Sequence, residues 1–141
     1  MFRVLLAALA GLLLMPTAHA DLANLLGGPP PVLSPQQAFA PELAADADGQ
    51  LELRFTIAPD HYLYRDRLAA TDATGSSLNL DLPAGEPYDD PDSGRVMVLR
   101  GPQRVALNVT ARPGAGIELR YQGCAEGRLC YAPVRVHLQL P

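Results

Sequence analysis

From residue 50 onward the chain alternates with a period of two, and that alternation restricts it to half-buried β-strands. Leu51, Leu53, Phe55 and Ile57 alternate with Glu52, Arg54 and Thr56. The pattern returns at Leu78, Leu80 and Leu82, at Val105, Leu107 and Val109, at Ile117, Leu119 and Tyr121, and at Val134, Val136, Leu138 and Leu140. Each stretch has one apolar and one polar face, which suits a strand lying on a core. Val96–Leu99 is a continuous apolar run, consistent with a strand buried on both faces. Turn signals separate these stretches: Pro59-Asp60, Thr74-Gly75-Ser76, Pro83-Ala84-Gly85, Asp92-Ser93-Gly94, Gly101-Pro102 and Pro113-Gly114. Short punctuated strands without a long helical pattern predict an all-β fold, an antiparallel β-sandwich. The chain has no Trp, so a tryptophan packed on an intersheet disulfide is excluded.

The segment before the alternation divides in two. Residues 1–20, MFRVLLAALAGLLLMPTAHA, read as a cleaved secretory signal: Arg3, then the apolar run Val4–Met15, then Ala18-His19-Ala20 as the small–x–small site. The apolar run is short for a bilayer span. Residues 21–33 are rich in Gly and Pro and read as a flexible arm. Ser34-Pro35 fits an N-cap followed by proline at the first helical position, and fits coil equally. The sandwich domain is then 34–141, and the destination implied is the periplasm.

Charge excludes one class of partner. Without the leader the chain carries ten arginines, no lysine and fifteen acidic residues. No basic stripe is present for nucleic acid. Ser76, Ser77 and Ser93 sit in turn-like contexts without a nucleophile-elbow motif.

The chain's two cysteines, Cys124 and Cys130, lie in YQGCAEGRLCYAP, between the strand patterns 117–122 and 134–140. An exported chain with an even cysteine count has a disulfide as its default state. Gly123 and Gly127 let the backbone turn and let another chain approach closely. Closing a loop of about seven residues contributes roughly 2–2.5 kcal/mol, against about 4.7 for a hundred-residue loop. Spacing alone leaves both a structural staple and a redox pair open. Tyr121 and Tyr131 bracket the pair; Tyr121 also falls on the inward face of its strand. Arg128 favours a thiolate and Glu126 opposes one. A metal site drawn from Cys124, Cys130, His61, His137 or Met97 is a minor alternative, because the two histidines fall in separate strand segments.

Four stretches in order resemble one family, the N-terminal periplasmic domain of the thiol–disulfide interchange protein DsbD. They are LSPQQAF (33–39), DHYLYRDRL (60–68), YDDPDSGRVMVLRG (88–101) and, most specifically, YQGCAEGRLCYAP (121–133). The resemblance implies an immunoglobulin-like sandwich and a disulfide reductase function that needs no cofactor or metal. It implies a thioredoxin-like electron donor, and oxidised recipients such as disulfide isomerases or thiol proteins of cytochrome c maturation. Cys130 would form the mixed disulfide, Cys124 would resolve it, and Tyr62 and Tyr64 would pack near the pair.

The chain departs from the family in two places. Family members cover the cysteines with a loop, D-E-F-Y-G; here the aligned residues are Asp90-Pro91-Asp92-Ser93-Gly94. Tyr88 and Tyr131 are the rings left to shield the disulfide. The acidic run Asp89, Asp90 and Asp92 would oppose a nearby thiolate, or is simply a solvated turn. The sequence ends at Pro141 without the membrane and thioredoxin-like domains of full-length relatives, so electrons are expected from a separate partner. The competing expectation is a non-catalytic immunoglobulin-like binding module with a structural disulfide.

Overall fold

Eleven antiparallel strands follow one short helix among the residues that this computed structural model describes, residue 27 and residues 29–141. The expected leader and most of the expected arm lie outside the described residues. Helix α1, Pro35–Phe39, has a complete capping box. The Gln37 backbone N–H donates to Ser34 Oγ at 3.3 Å, and the Ser34 N–H donates to Gln37 Oε1 at 3.1 Å. Pro35 opens the helix and Ala40, at φ 35°, closes it. These reciprocal bonds satisfy orphan donors and decide for helix over coil. The helix buries Ala38 and Phe39.

The strands are β1 (Pro41–Ala45), β2 (Gln50–Thr56), β3 (His61–Tyr64), β4 (Ala69–Asp72), β5 (Glu86–Asp90), β6 (Gly94–Leu99), β7 (Pro102–Thr110), β8 (Gly116–Tyr121), β9 (Gly123–Ala125), β10 (Leu129–Cys130) and β11 (Val134–Gln139). A 3-10 turn, Arg65–Arg67, follows β3. Three sheets form, with orders β1-β2-β7, β10-β9-β3-β6-β5 and β11-β8-β4. Side chains from all three meet in one buried cluster that includes Phe39, Leu53, Leu63, Val105, Leu119 and Tyr121. Each such burial contributes about 1.5–3 kcal/mol, which makes this cluster the main stabiliser of the sandwich. Residues from Val32 to Pro141 form one compact unit.

Two strand expectations are corrected. Leu78, Leu80 and Leu82 pack half-buried against the core, yet 78–82 is not a strand. Its ends bond to different sheets: the Leu78 N–H donates to the Ala70 carbonyl in β4, and the Asp81 N–H donates to the Ala106 carbonyl in β7, both at 2.9 Å. The segment crosses between sheets, so its alternation reflects burial without a ladder. Val109 was expected on the inner face of β7 and is 37% exposed. The β2–β7 register shifts between Gln50 and Glu52, and Asn108 is left-handed at φ 52°. This irregularity turns the strand end outward.

The middle sheet positions the site. All four residues of β3 are buried. Leu63 enters the main core, while Tyr62 and Tyr64 join a second cluster with Val98 and Cys124 on the opposite face. The sheet is therefore covered on both sides.

Candidate functional site

Strands β9 and β10 form a short hairpin that sets Cys124 directly opposite Cys130. The two are disulfide-bonded, with Cα atoms 4.0 Å apart. Gly127, at φ 67°, makes the turn, and the Arg128 N–H donates to the Ala125 carbonyl at 3.0 Å. Gly123 serves a close approach within the chain itself: a Cβ there would lie 2.6 Å from Phe39 Cζ and would strike the Tyr62 carbonyl. The absence of a side chain at 123 thus lets β9 pair with β3, which brings Cys124 beside Tyr62.

The two sulfurs differ in access. Cys124 is 1% exposed, whereas Cys130 is exposed. A cleft of ≈ 270 Å³ opens onto the pair, with Tyr62, Tyr88, Pro91, Asp92 and Arg128 in its walls. Tyr88 is thus the expected shielding ring that reaches the cleft. Tyr131 is not: its hydroxyl donates to the Leu33 carbonyl at 2.9 Å, and its ring stacks on His61 beside Phe39. The β5–β6 turn contributes Pro91 and Asp92 to the cleft without an aromatic.

Asp90 organises the inner wall. Tyr62 and Tyr64 hydroxyls donate to its Oδ2 at 2.5 and 2.8 Å. The backbone N–H groups of Asp92 and Ser93 donate to its Oδ1 at 2.9 and 2.7 Å. Burial acts to raise this carboxyl, but the four donors outweigh it and hold the pKa down to about 2. Burial first, then the bond to Asp90, pushes the Tyr62 phenol well above its ordinary range. The Tyr64 hydroxyl reaches onward, lying 3.2 Å from Cys124 Sγ and 3.6 Å from Cys130 Sγ. A buried carboxylate, two phenols and a disulfide thus form one connected polar group.

Arginines frame this group. Arg67 stacks over Tyr64, with Cζ 3.8 Å from the ring centroid. Arg100 lies over Tyr62 and Tyr88, and pairs with Glu86 at 2.7 Å and Glu126 at 2.9 Å. The bond from Arg100 holds the Glu126 carboxyl below its usual range. Glu126 is therefore a neutralised partner of Arg100, while Arg128 is exposed on the cleft wall. Neither Arg67 nor Arg100 stood out in the sequence, because their partners lie far along the chain.

The remaining candidates fall elsewhere. Tyr121 is fully buried in the main core, edge-on to Phe39 and Phe55. Its hydroxyl has no hydrogen-bond partner among the described residues, and burial raises its pKa. His137 stands on the exposed face of β11, 3.7 Å from Glu118, in a different sheet from His61. Asp90, Cys124 and Cys130 offer ligand atoms within 4.8 Å of one another. In the disulfide form both sulfurs are bonded to each other, and the carboxylate already accepts four hydrogen bonds. That arrangement offers a metal ion no free donor set.

Comparison with known proteins agrees with this arrangement. Residues 30–140 match the family described as "Thiol:disulfide interchange protein DsbD, N-terminal". The chain is 38% identical over 125 residues to the thiol:disulfide interchange protein DsbD of Cronobacter sakazakii, covering 86% of this chain and 21% of that protein. It is 41% identical over 100 residues to that of Pectobacterium atrosepticum, covering 68% of this chain and 17% of the other. The chain thus spans about a fifth of the length of these relatives. The reduced DsbD N-terminal domain of Neisseria meningitidis superposes with a TM-score of 0.65 at 32% identity, over 83% of this chain and 90% of that one. A second Neisseria meningitidis structure, a complex between the DsbD N-terminal and PilB N-terminal domains, superposes with a TM-score of 0.61 at 32% identity, over 77% and 86%.

Proposed function

The chain belongs to the family of the DsbD N-terminal domain, and on that premise we propose that it exchanges electrons between periplasmic thiol proteins through Cys124 and Cys130. The supporting observation is the asymmetry of the pair. Cys130 is exposed at a cleft, and Cys124 is buried under the Tyr64 hydroxyl. In this reading residues 1–20 are an export leader, 21–33 an arm and 34–141 the exchange domain. Among the described residues no helix is long and apolar enough to cross a membrane.

The chemistry needs no cofactor. A donor thiolate attacks Cys130 Sγ, the Cys124–Cys130 bond breaks, and its electron pair goes to Cys124 Sγ. The donor's second thiol then displaces Cys130, leaving a dithiol that has gained two electrons and two protons. In the onward direction the Cys130 thiolate attacks an oxidised recipient, and Cys124 resolves the mixed disulfide. Tyr64 can turn its single O–H from Asp90 Oδ2 to Cys124 Sγ, 3.2 Å away, as charge develops there. The ionised Asp90 nearby disfavours a lasting thiolate and so favours proton uptake at Cys124. The donor is a thioredoxin-like domain, and the recipients are oxidised periplasmic thiol proteins, of the disulfide isomerase or cytochrome c maturation type.

Trapping tests the reading. Cys124→Ala carrying a thionitrobenzoate leaving group on Cys130, mixed with a reduced thioredoxin-like domain that lacks its second cysteine, is expected to release that group and accumulate a covalent adduct through Cys130, read by intact mass. Cys130→Ala is expected to give no adduct, because Cys124 is covered. Equal adducts from both variants, or none from either, would contradict the assignment.

A further inference from the structure

We propose that Arg67 is a positioning residue for this exchange: it fastens the Asp90–Gly94 turn and the Tyr64 hydroxyl over the disulfide. The inference rests on the exchange reading above.

Arg67 engages three partners at once. Its guanidinium lies 3.8 Å from the Tyr64 ring centroid. Nη1 donates to Gln122 Oε1 at 2.8 Å, and Nη2 donates to Ser93 Oγ at 2.9 Å. Each partner leads to the disulfide in one further step. The Tyr64 hydroxyl faces both sulfurs. Gln122 Nε2 donates at 2.9 Å to the carbonyl of Tyr131, the residue after Cys130. Ser93 belongs to the turn whose Pro91 and Asp92 wall the cleft, and its Oγ lies 3.5 Å from the Tyr64 hydroxyl.

This role falls to Arg67 because, among the described residues, its 2.9 Å bond to Ser93 Oγ is the shorter of the tip's two outside contacts, the other being the 3.5 Å approach of Ser93 Oγ to the Tyr64 hydroxyl. Pro91, Asp92 and Ser93 are all exposed, and none is aromatic. The bonds to Asp90 Oδ1 shape the turn internally, whereas the Ser93–Arg67 bond ties its tip to the segment after β3. A planar guanidinium can stack on a ring and direct two N–H groups in fixed directions. A lysine ammonium cannot reproduce that combination. Arg67 thereby limits small-thiol access to the pair and keeps Tyr64 aimed at Cys124.

The test compares reduction of the oxidised chain by dithiothreitol with reduction by a thioredoxin-like protein donor. Arg67→Ala is expected to speed dithiothreitol reduction about tenfold, the scale of losing hydrogen bonds to a charged group, without a matching gain for the protein donor. Arg67→Lys recovers only part of the protection. Ser93→Ala, a surface change that leaves the core intact, gives a smaller acceleration. The double variant is no faster than Arg67→Ala, because both changes open the same contact. A purely architectural Arg67 would lower thermal stability and leave the ratio of the two reduction rates unchanged. An Arg67→Ala rate ratio within about twofold of the parent, or independent multiplication of the two effects, overturns the proposal. If the parent chain itself fails to exchange with either thiol, the exchange reading falls, and this inference with it. Normal exchange in the parent with an unaltered ratio in Arg67→Ala rejects Arg67 alone.

Discussion

The Tyr64 hydroxyl lies 3.2 Å from Cys124 Sγ while donating to Asp90 Oδ2 at 2.8 Å. Among the described residues it is the one group that links the buried carboxylate to the buried sulfur directly. When the disulfide opens, negative charge develops on Cys124, and the single Tyr64 O–H can swing from Asp90 to that sulfur, leaving Asp90 its bonds from Tyr62, Asp92 and Ser93. Tyr64→Phe is expected to slow exchange with a protein dithiol about tenfold, the effect of removing one charge-assisted hydrogen bond. Stopped-flow exchange checks this, with the melting temperature as control. An unchanged rate would remove Tyr64 from the chemistry.

Asp90 makes stability depend on acid. Its carboxyl titrates at about 2 in the folded chain against an ordinary 3.8. A depressed folded-state value stabilises the fold above the unfolded pKa, and that contribution is lost as pH falls through the folded one. The oxidised chain should therefore lose about 2 kcal/mol between about pH 5 and pH 2 on this group's account. Asp90→Asn should flatten that part of the profile. Denaturant unfolding of both proteins across this range measures the difference.

Tyr121 carries the opposite lesson. Its ring is fully buried between Phe39 and Phe55, and its hydroxyl has no partner among the described residues. An unsatisfied buried donor costs about 1–3 kcal/mol. Tyr121→Phe keeps the ring and removes the cost, so it should raise stability by about 1 kcal/mol and leave exchange rates unchanged. Chemical denaturation and the same stopped-flow assay decide both halves.

Strands with one wet face were legible in the sequence, and strands with two dry faces were not. β2, β8 and β11 follow their alternation within a residue or so at each end. In β3 the sequence HYLY shows no polar alternation, because Leu63 faces the core and the tyrosines face the second cluster. That strand was visible through the family resemblance. The segment 78–82 shows the converse error, since burial can alternate without a ladder. At the site, the cysteines and Tyr62, Tyr64 and Asp90 were readable as a family signature. Arg67 was not, because its bonds to Gln122 and Ser93 span 55 and 26 positions. No local pattern encodes such contacts.

The cysteine pair closes only the β9–β10 hairpin, and the main core is built without it. The fold should therefore outlast reduction. The most direct test equilibrates residues 21–141 in graded thiol buffers, counts free thiols by mass and follows the fold by circular dichroism. A midpoint between about −180 and −270 mV, the range of exchange proteins, with the sandwich intact when reduced, is the predicted result. A midpoint below about −300 mV, or unfolding on reduction, would make the pair a staple and contradict the account.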